Sequence, residues 1–139
     1  MIKKILFFFT LSLISVSSFA AQLKITTPWV REAPPTARNL AGYVELSNQS
    51  DKTIVVNEAK SPLFAQVQLH VTTFVNGMMR MTEIKELKIA PGETVTFEPG
   101  GRHFMLMKPK QAIKAGLDVP VELSYTDGTT QVIHFIVRK

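Results

Sequence analysis

The sequence predicts a single all-β domain, a sandwich or barrel of short strands, and three observations predict it. Runs rich in Val, Ile, Tyr and Phe recur at short intervals, several alternating with period two. Gly- and Pro-containing turns separate them. No window sustains a 3.6-residue apolar period with helix caps.

The chain opens with a segment that reads as a cleaved export signal, residues 1–20. Lys3 and Lys4 give a positive start, Ile5 to Val16 an apolar centre, and Ser18 and Ala20 the small residues of a cleavage site. A membrane anchor fits less well, because a spanning helix needs about 20 apolar residues and this stretch is shorter and dotted with Ser and Thr. No Cys follows, so a lipid-anchored form is not expected. Residues 21–139 then make one domain.

Residues 29–38, Trp29 to Arg38, include Glu32-Ala33-Pro34-Pro35 and are expected to be an irregular connection. Strands are expected at Ala41–Leu46, Thr53–Asn57, Gln66–Thr72, Thr94–Glu98, His103–Met107, Pro120–Tyr125 and Thr130–Val137. Asn76-Gly77 and Asp127-Gly128 are two-residue hairpin signals; Pro91-Gly92 and Pro99-Gly100-Gly101 are further turns. A short helical turn is allowed near Ser61–Ala65 or Gln111–Gly116. Such a series of short strands implies a sandwich or barrel.

Composition excludes several functions. The formal net charge of +5 loses the two lysines of the signal and comes from no Lys/Arg block, so nucleic-acid binding is not indicated. Cysteine is absent. Disulfides, thiolate zinc sites, iron–sulfur clusters, Cys nucleophiles and the blue-copper ligand set are therefore unavailable to this chain.

What remains is a cluster of soft donors. Met78, Met79, Met81, Met105 and Met107 fall within thirty residues of one another, beside His70 and His103. Core packing is the ordinary explanation of methionines. Strand parity argues otherwise. Val67, Leu69 and Val71 share one face of their strand, and His70 lies on the other with Gln66 and Gln68. Phe104 and Leu106 share one face, while His103, Met105 and Met107 share the opposite one. If the apolar sets face the core, imidazoles and thioethers point away from it. Thioether sulfur is a soft, neutral ligand that suits copper(I) and not magnesium or calcium, and imidazole suits copper in either oxidation state.

The spacing His70, ten residues, Met81, twenty-one residues, His103, one residue, Met105 resembles the H-x10-M-x21-H-x-M signature of the PCuAC family, the periplasmic copper A chaperones. The surrounding Asn76-Gly77-Met78-Met79-Arg80-Met81 and Gly100-Gly101-Arg102-His103-Phe104-Met105-Leu106-Met107 resemble it too. The resemblance implies a cupredoxin-like, Greek-key β-sandwich holding one copper(I) on His70, Met81, His103 and Met105. It implies a periplasmic carrier, not an enzyme, that delivers copper to the copper A centre of cytochrome c oxidase subunit II alongside Sco-type proteins, as a monomer. Where many relatives carry a further His or Met just after the first His, this chain has Val71 and Thr72. Met107 and Met79 fall outside the ligand pattern: Met107 reads as a hydrophobic wall around the ion, with an outer-shell or transient ligand as the alternative, and Met79 reads as packing or rim. Met78 and Met79 could instead form a soft docking surface.

Other residues receive plainer readings. His134 is a structural or half-exposed strand residue, Trp29 packs across one end of the sandwich, and Arg102, Lys108 and Lys110 are solvated charges. Competing functions are copper tolerance or storage with the same site, a copper enzyme, and a structural module. An enzyme would need an open coordination position. The mature start, Ala21-Gln22, lacks the amino-terminal His of a copper-brace oxidase, and no nucleophile–base pair or paired carboxylates accompany the donors.

Overall fold

The structure, a computed structural model, describes residues 22–139; the predicted signal, residues 1–20, lies outside the described residues. Ten strands follow in order: β1 (Lys24–Arg31), β2 (Asn39–Ser47), β3 (Ile54–Lys60), β4 (Phe64–Val75), β5 (Met78–Glu83), β6 (Leu87–Ile89), β7 (Thr94–Phe97), β8 (Arg102–Pro109), β9 (Asp118–Tyr125) and β10 (Thr130–Arg138). The described residues contain no helix. Turns stand at Pro62-Leu63 and Ala115-Gly116, where the sequence allowed a helical turn.

The strands are ordered β5-β4-β8-β7-β2-β1-β10-β9-β3-β6, with additional β4–β3 and β8–β2 pairings. Those two pairings close a ring, β4-β8-β2-β1-β10-β9-β3. Its final contact is a single bridge between Ala59 and Val67. The result is a barrel-like sandwich, with β5 added at the edge of β4 and β6 at the edge of β3.

The alternation read from the sequence sets the two faces. Phe104 and Leu106 of β8 are fully buried, and Val67 and Leu69 of β4 face the same core. Phe104 packs at 4.9 Å from the Phe97 ring and 5.3 Å from the Phe135 ring. Each fully buried side chain of this size contributes roughly 1.5–3 kcal/mol. Gly42 on β2 makes room for this cluster: a Cβ there would sit 3.3 Å from Phe135 Cε1 and 3.4 Å from Phe104 Cβ. Buried Asn48 ties the β2–β3 turn to β6, donating to the carbonyls of Lys52 and Ile89 at 2.7 and 2.8 Å.

Three strands escaped the sequence reading, each for a physical reason. β1 carries an irregularity between Thr26 and Trp29, with Thr27 at φ 50°, so its alternation is broken. The connection expected over residues 29–38 therefore begins later: Trp29, Val30 and Arg31 end β1, and the irregular stretch is 32–38. Trp29 lies within β1 against Tyr43, with ring centroids 4.8 Å apart and the Arg31 and Arg138 guanidiniums about 6 Å from its ring. β5 is exposed along its whole length, so it shows no apolar alternation. β6 is only three residues long.

The two hairpin signals separate into different turns. Asn76 (φ 52°) and Gly77 (φ 74°) form a two-residue connection of the primed type between β4 and β5. Asp127-Gly128 does not: four residues, Thr126 to Thr129, connect β9 to β10, with Gly128 left-handed (φ 87°) and Tyr125 N–H donating to the Thr129 carbonyl at 2.9 Å.

Candidate metal centre

The β4–β5 hairpin and β8 position the predicted donors. β4 lies between β5 and β8, antiparallel to both. Cross-strand partners in a ladder project to the same face. His70 pairs directly with His103. Met105 is opposite Gln68, and Met81 is opposite Thr72. Met105 and Met81 are therefore each one row from the histidine pair, on opposite sides of it and on opposite neighbours of β4. Diagonal neighbours of this kind lie about 7–8 Å apart at the backbone, within reach of long side chains. His70 is the hub: one donor stands directly across from it and two stand diagonally. All four predicted residues, His70, Met81, His103 and Met105, share the outward face.

Burial divides the four. His103 is only 7% exposed, although parity had suggested a surface position. Its strand is an inner one: β8 is flanked by β4 on one edge and by β2 and β7 on the other. Met105 and His70 are half-buried. Met81, on the edge strand β5, is 51% exposed. Met107 shares the face but lies a further row away, opposite Gln66 and Asn39. Met79 is 61% exposed and opposite Phe74, towards the hairpin tip, as is Met78 at 67%. Phe74 and Val75 are also exposed there, so the tip is apolar.

The hydrogen bonds around the imidazoles assign their nitrogens. The His70 and His103 ring centroids are 5.7 Å apart. His70 Nε2 is 2.8 Å from Gln68 Oε1, an oxygen that only accepts, so this contact is a hydrogen bond in the tautomer that carries its proton on Nε2. The lone pair then lies on Nδ1. That atom is buried and has no hydrogen-bond partner, the one such side-chain atom among the described residues. His103 Nδ1 is 3.4 Å from the Gly101 carbonyl, a long contact that a proton on Nδ1 would satisfy, leaving the lone pair on Nε2. Burial lowers the His70 pKa below 6.5, the His103 ring lowers it further, and Glu83 directly across β5 opposes both. A neutral imidazole is the form that ligates a metal.

A match to known proteins is decisive for the family. The family model described as "Putative lipoprotein LpqE-like" matches residues 23–137. The chain belongs to this family, the PCuAC family. The "Putative lipoprotein Lxx21020" of Leifsonia xyli is 32% identical over 117 residues, 84% of this chain and 69% of that protein. The "Uncharacterized protein RP573" of Rickettsia prowazekii is 25% identical over 118 residues, covering 82% and 65%. The solution structure of CuI-DR1885 from Deinococcus radiodurans superimposes with a TM-score of 0.69 and 32% identity over 91% of this chain and 83% of that one. The copper-bound PCuAC domain from PmoF2 shares the fold, with a TM-score of 0.70 and 22% identity over 86% and 96%.

Within this PCuAC domain the donor chemistry is soft and neutral. No three His, Asp or Glu side chains cluster as a hard-metal site requires, among the described residues. An unpartnered buried nitrogen costs roughly 1–3 kcal/mol in the empty protein, a cost that a bound cation would relieve. A groove of 470 Å³ opens near β3 and β4, lined by Lys60, Gln66, Gln68, Glu83 and Lys110 among others, and none of the four donors lines it. The third histidine stands apart from the donors. Exposed His134 on β10 has Nδ1 3.0 and 3.1 Å from the Asp118 carboxylate oxygens.

Sequence reasoning missed two residues of this face. Gln68 was read only as a polar residue marking the outward side, and Glu83 not at all. Their contacts depend on which strand neighbours which. A hairpin turn at Asn76-Gly77 would have put Glu83 opposite His70, by counting outward from the turn.

Proposed function

We propose that this protein is an exported, periplasmic carrier of copper(I) that binds one ion on His70, Met81, His103 and Met105 and performs no chemistry on it. The observation that carries this reading is the arrangement about His70. A second imidazole stands directly across from it, two thioethers stand diagonally, and a buried nitrogen lone pair has no partner inside the protein. Two imidazoles and two thioethers leave the ion its full charge, which favours the monovalent state, and they supply no tetragonal N/O set for copper(II). The copper(I) form of DR1885, 32% identical, supports the choice of cargo.

The same arrangement suits release. His103 and Met105 belong to an inner strand, whereas Met81 is half-exposed on an edge strand. A recipient can approach from the β5 side and displace Met81 first, a neutral donor that needs no proton to leave. By resemblance to its family, the recipient is the copper A centre of cytochrome c oxidase subunit II, with Sco-type proteins taking part in the same assembly. An anaerobic copper(I) titration against a chelator tests the reading. One equivalent bound, with no oxygen consumed when a reductant is added, supports it. Absence of specific binding, or turnover, overturns it. Transfer from the loaded protein to a soluble subunit II domain, followed by the appearance of the metallated centre, tests the recipient.

A further inference from the structure

The paired strands place four side chains at the corners of a square. Gln68 and His70 lie on β4, opposite Met105 and His103 on β8. Three corners are soft or imidazole donors. The fourth is a glutamine, whose amide oxygen is a poor ligand for a soft ion. The Oε1 of this amide lies 2.8 Å from His70 Nε2.

An imidazole has two nitrogens and, when neutral, one proton. Which nitrogen is free for a metal is set by the hydrogen bond the other makes. Gln68 Oε1 can only accept, so it selects the tautomer protonated on Nε2. The consequence is visible at the other end of the ring, where Nδ1 is buried with no donor supplied to it. We propose that Gln68 is a positioning residue for copper binding, holding His70 in the tautomer and ring orientation that present Nδ1 as the ligating atom. The inference rests on the copper-carrier reading. It differs from the arrangement at His103, where the Gly101 carbonyl near Nδ1 directs the lone pair to Nε2. The two histidines would thus ligate through different nitrogens. A backbone carbonyl orients one and a side chain orients the other, so only the His70 arrangement can be edited by substitution.

The first arm of the test needs no copper. Long-range nitrogen–proton correlation spectra of the apo protein above pH 7.5 are expected to show His70 protonated at Nε2, with Nδ1 as the bare nitrogen. A His70 protonated at Nδ1 overturns the proposal without bearing on whether copper binds. The second arm compares Gln68→Leu, which removes the acceptor, with Gln68→Glu, which keeps it. Losing the outer partner of a ligating histidine typically weakens metal binding 10–100-fold. Gln68→Leu is expected to lose copper(I) affinity in that range and to lose the single-tautomer signature, while Gln68→Glu stays within about threefold of the wild type. Unchanged affinity in Gln68→Leu, or equal losses in both variants, overturns the proposal. Absence of copper binding in the wild type would instead count against the carrier reading and leave the spectroscopic result standing.

Discussion

Replacing either thioether by leucine separates ligation from packing. Leucine nearly conserves methionine's volume and keeps its apolar character; even in a core such a swap usually costs under about 1.5 kcal/mol. Met81 is half-exposed and Met105 half-buried, so the cost to the fold should be smaller still. The metal pays differently. Outer partners of a ligand are typically worth 10–100-fold in affinity, so a direct donor should be worth about 100-fold or more, roughly 2.8 kcal/mol. Under saturating copper(I) this difference appears directly in the melting temperature, since a ligand that binds only the folded state stabilises it in proportion to the logarithm of its concentration over Kd. For a domain of this size, 2.8 kcal/mol corresponds to roughly 10 °C. Met81→Leu and Met105→Leu are each expected to melt within a few degrees of the wild type when empty, and to gain roughly 10 °C less on loading. Differential scanning fluorimetry under anaerobic, reducing conditions measures both. Empty variants that melt normally and gain as much from copper as the wild type would refute the ligand assignment.

Four further outcomes are expected. Copper(I) affinity should fall as pH drops below about 6.5, because protons compete for imidazole lone pairs. His70, whose pKa is lowered chiefly by burial, should give way later than an exposed histidine. The same lowering means that the unfolded chain takes up that proton first, so the empty protein should lose stability as pH falls through and below 6.5. Melting curves of wild type and His70→Gln between pH 7.5 and 5 check this, and an equal slope in both would contradict it. Gly42→Ala should destabilise by about 1–3 kcal/mol in urea titrations, because its Cβ would crowd Phe135 and Phe104. His134→Ala should leave copper stoichiometry and affinity unchanged and move stability by no more than about 0.5 kcal/mol, since the ring is exposed and its only described partner is Asp118; a lost equivalent of copper would place His134 at a site.

Much of the fold was legible because the core strands obey period-two alternation. Phe104 and Leu106 on β8, and Val67 and Leu69 on β4, told which side faces inward, and the structure buries all four. The outward direction of His70, His103 and Met105 followed from the same parity. Burial of His103 did not: β8 is an inner strand with neighbours on both edges, a property of the assembled sheet. The strands β1, β5 and β6 were illegible for local reasons: a bulge, complete exposure and brevity. The role of Gln68 was hidden for a different reason. Its contact with His70 is between neighbours on one strand, but its meaning depends on the unpartnered nitrogen at the far side of the ring.

Copper K-edge absorption on the anaerobic protein carrying one equivalent of copper(I) tests the donor set most directly. Two sulfur and two nitrogen neighbours in the first shell are the expected result. A shell of nitrogen and oxygen alone would mean that the methionines at positions 81 and 105 do not hold the ion.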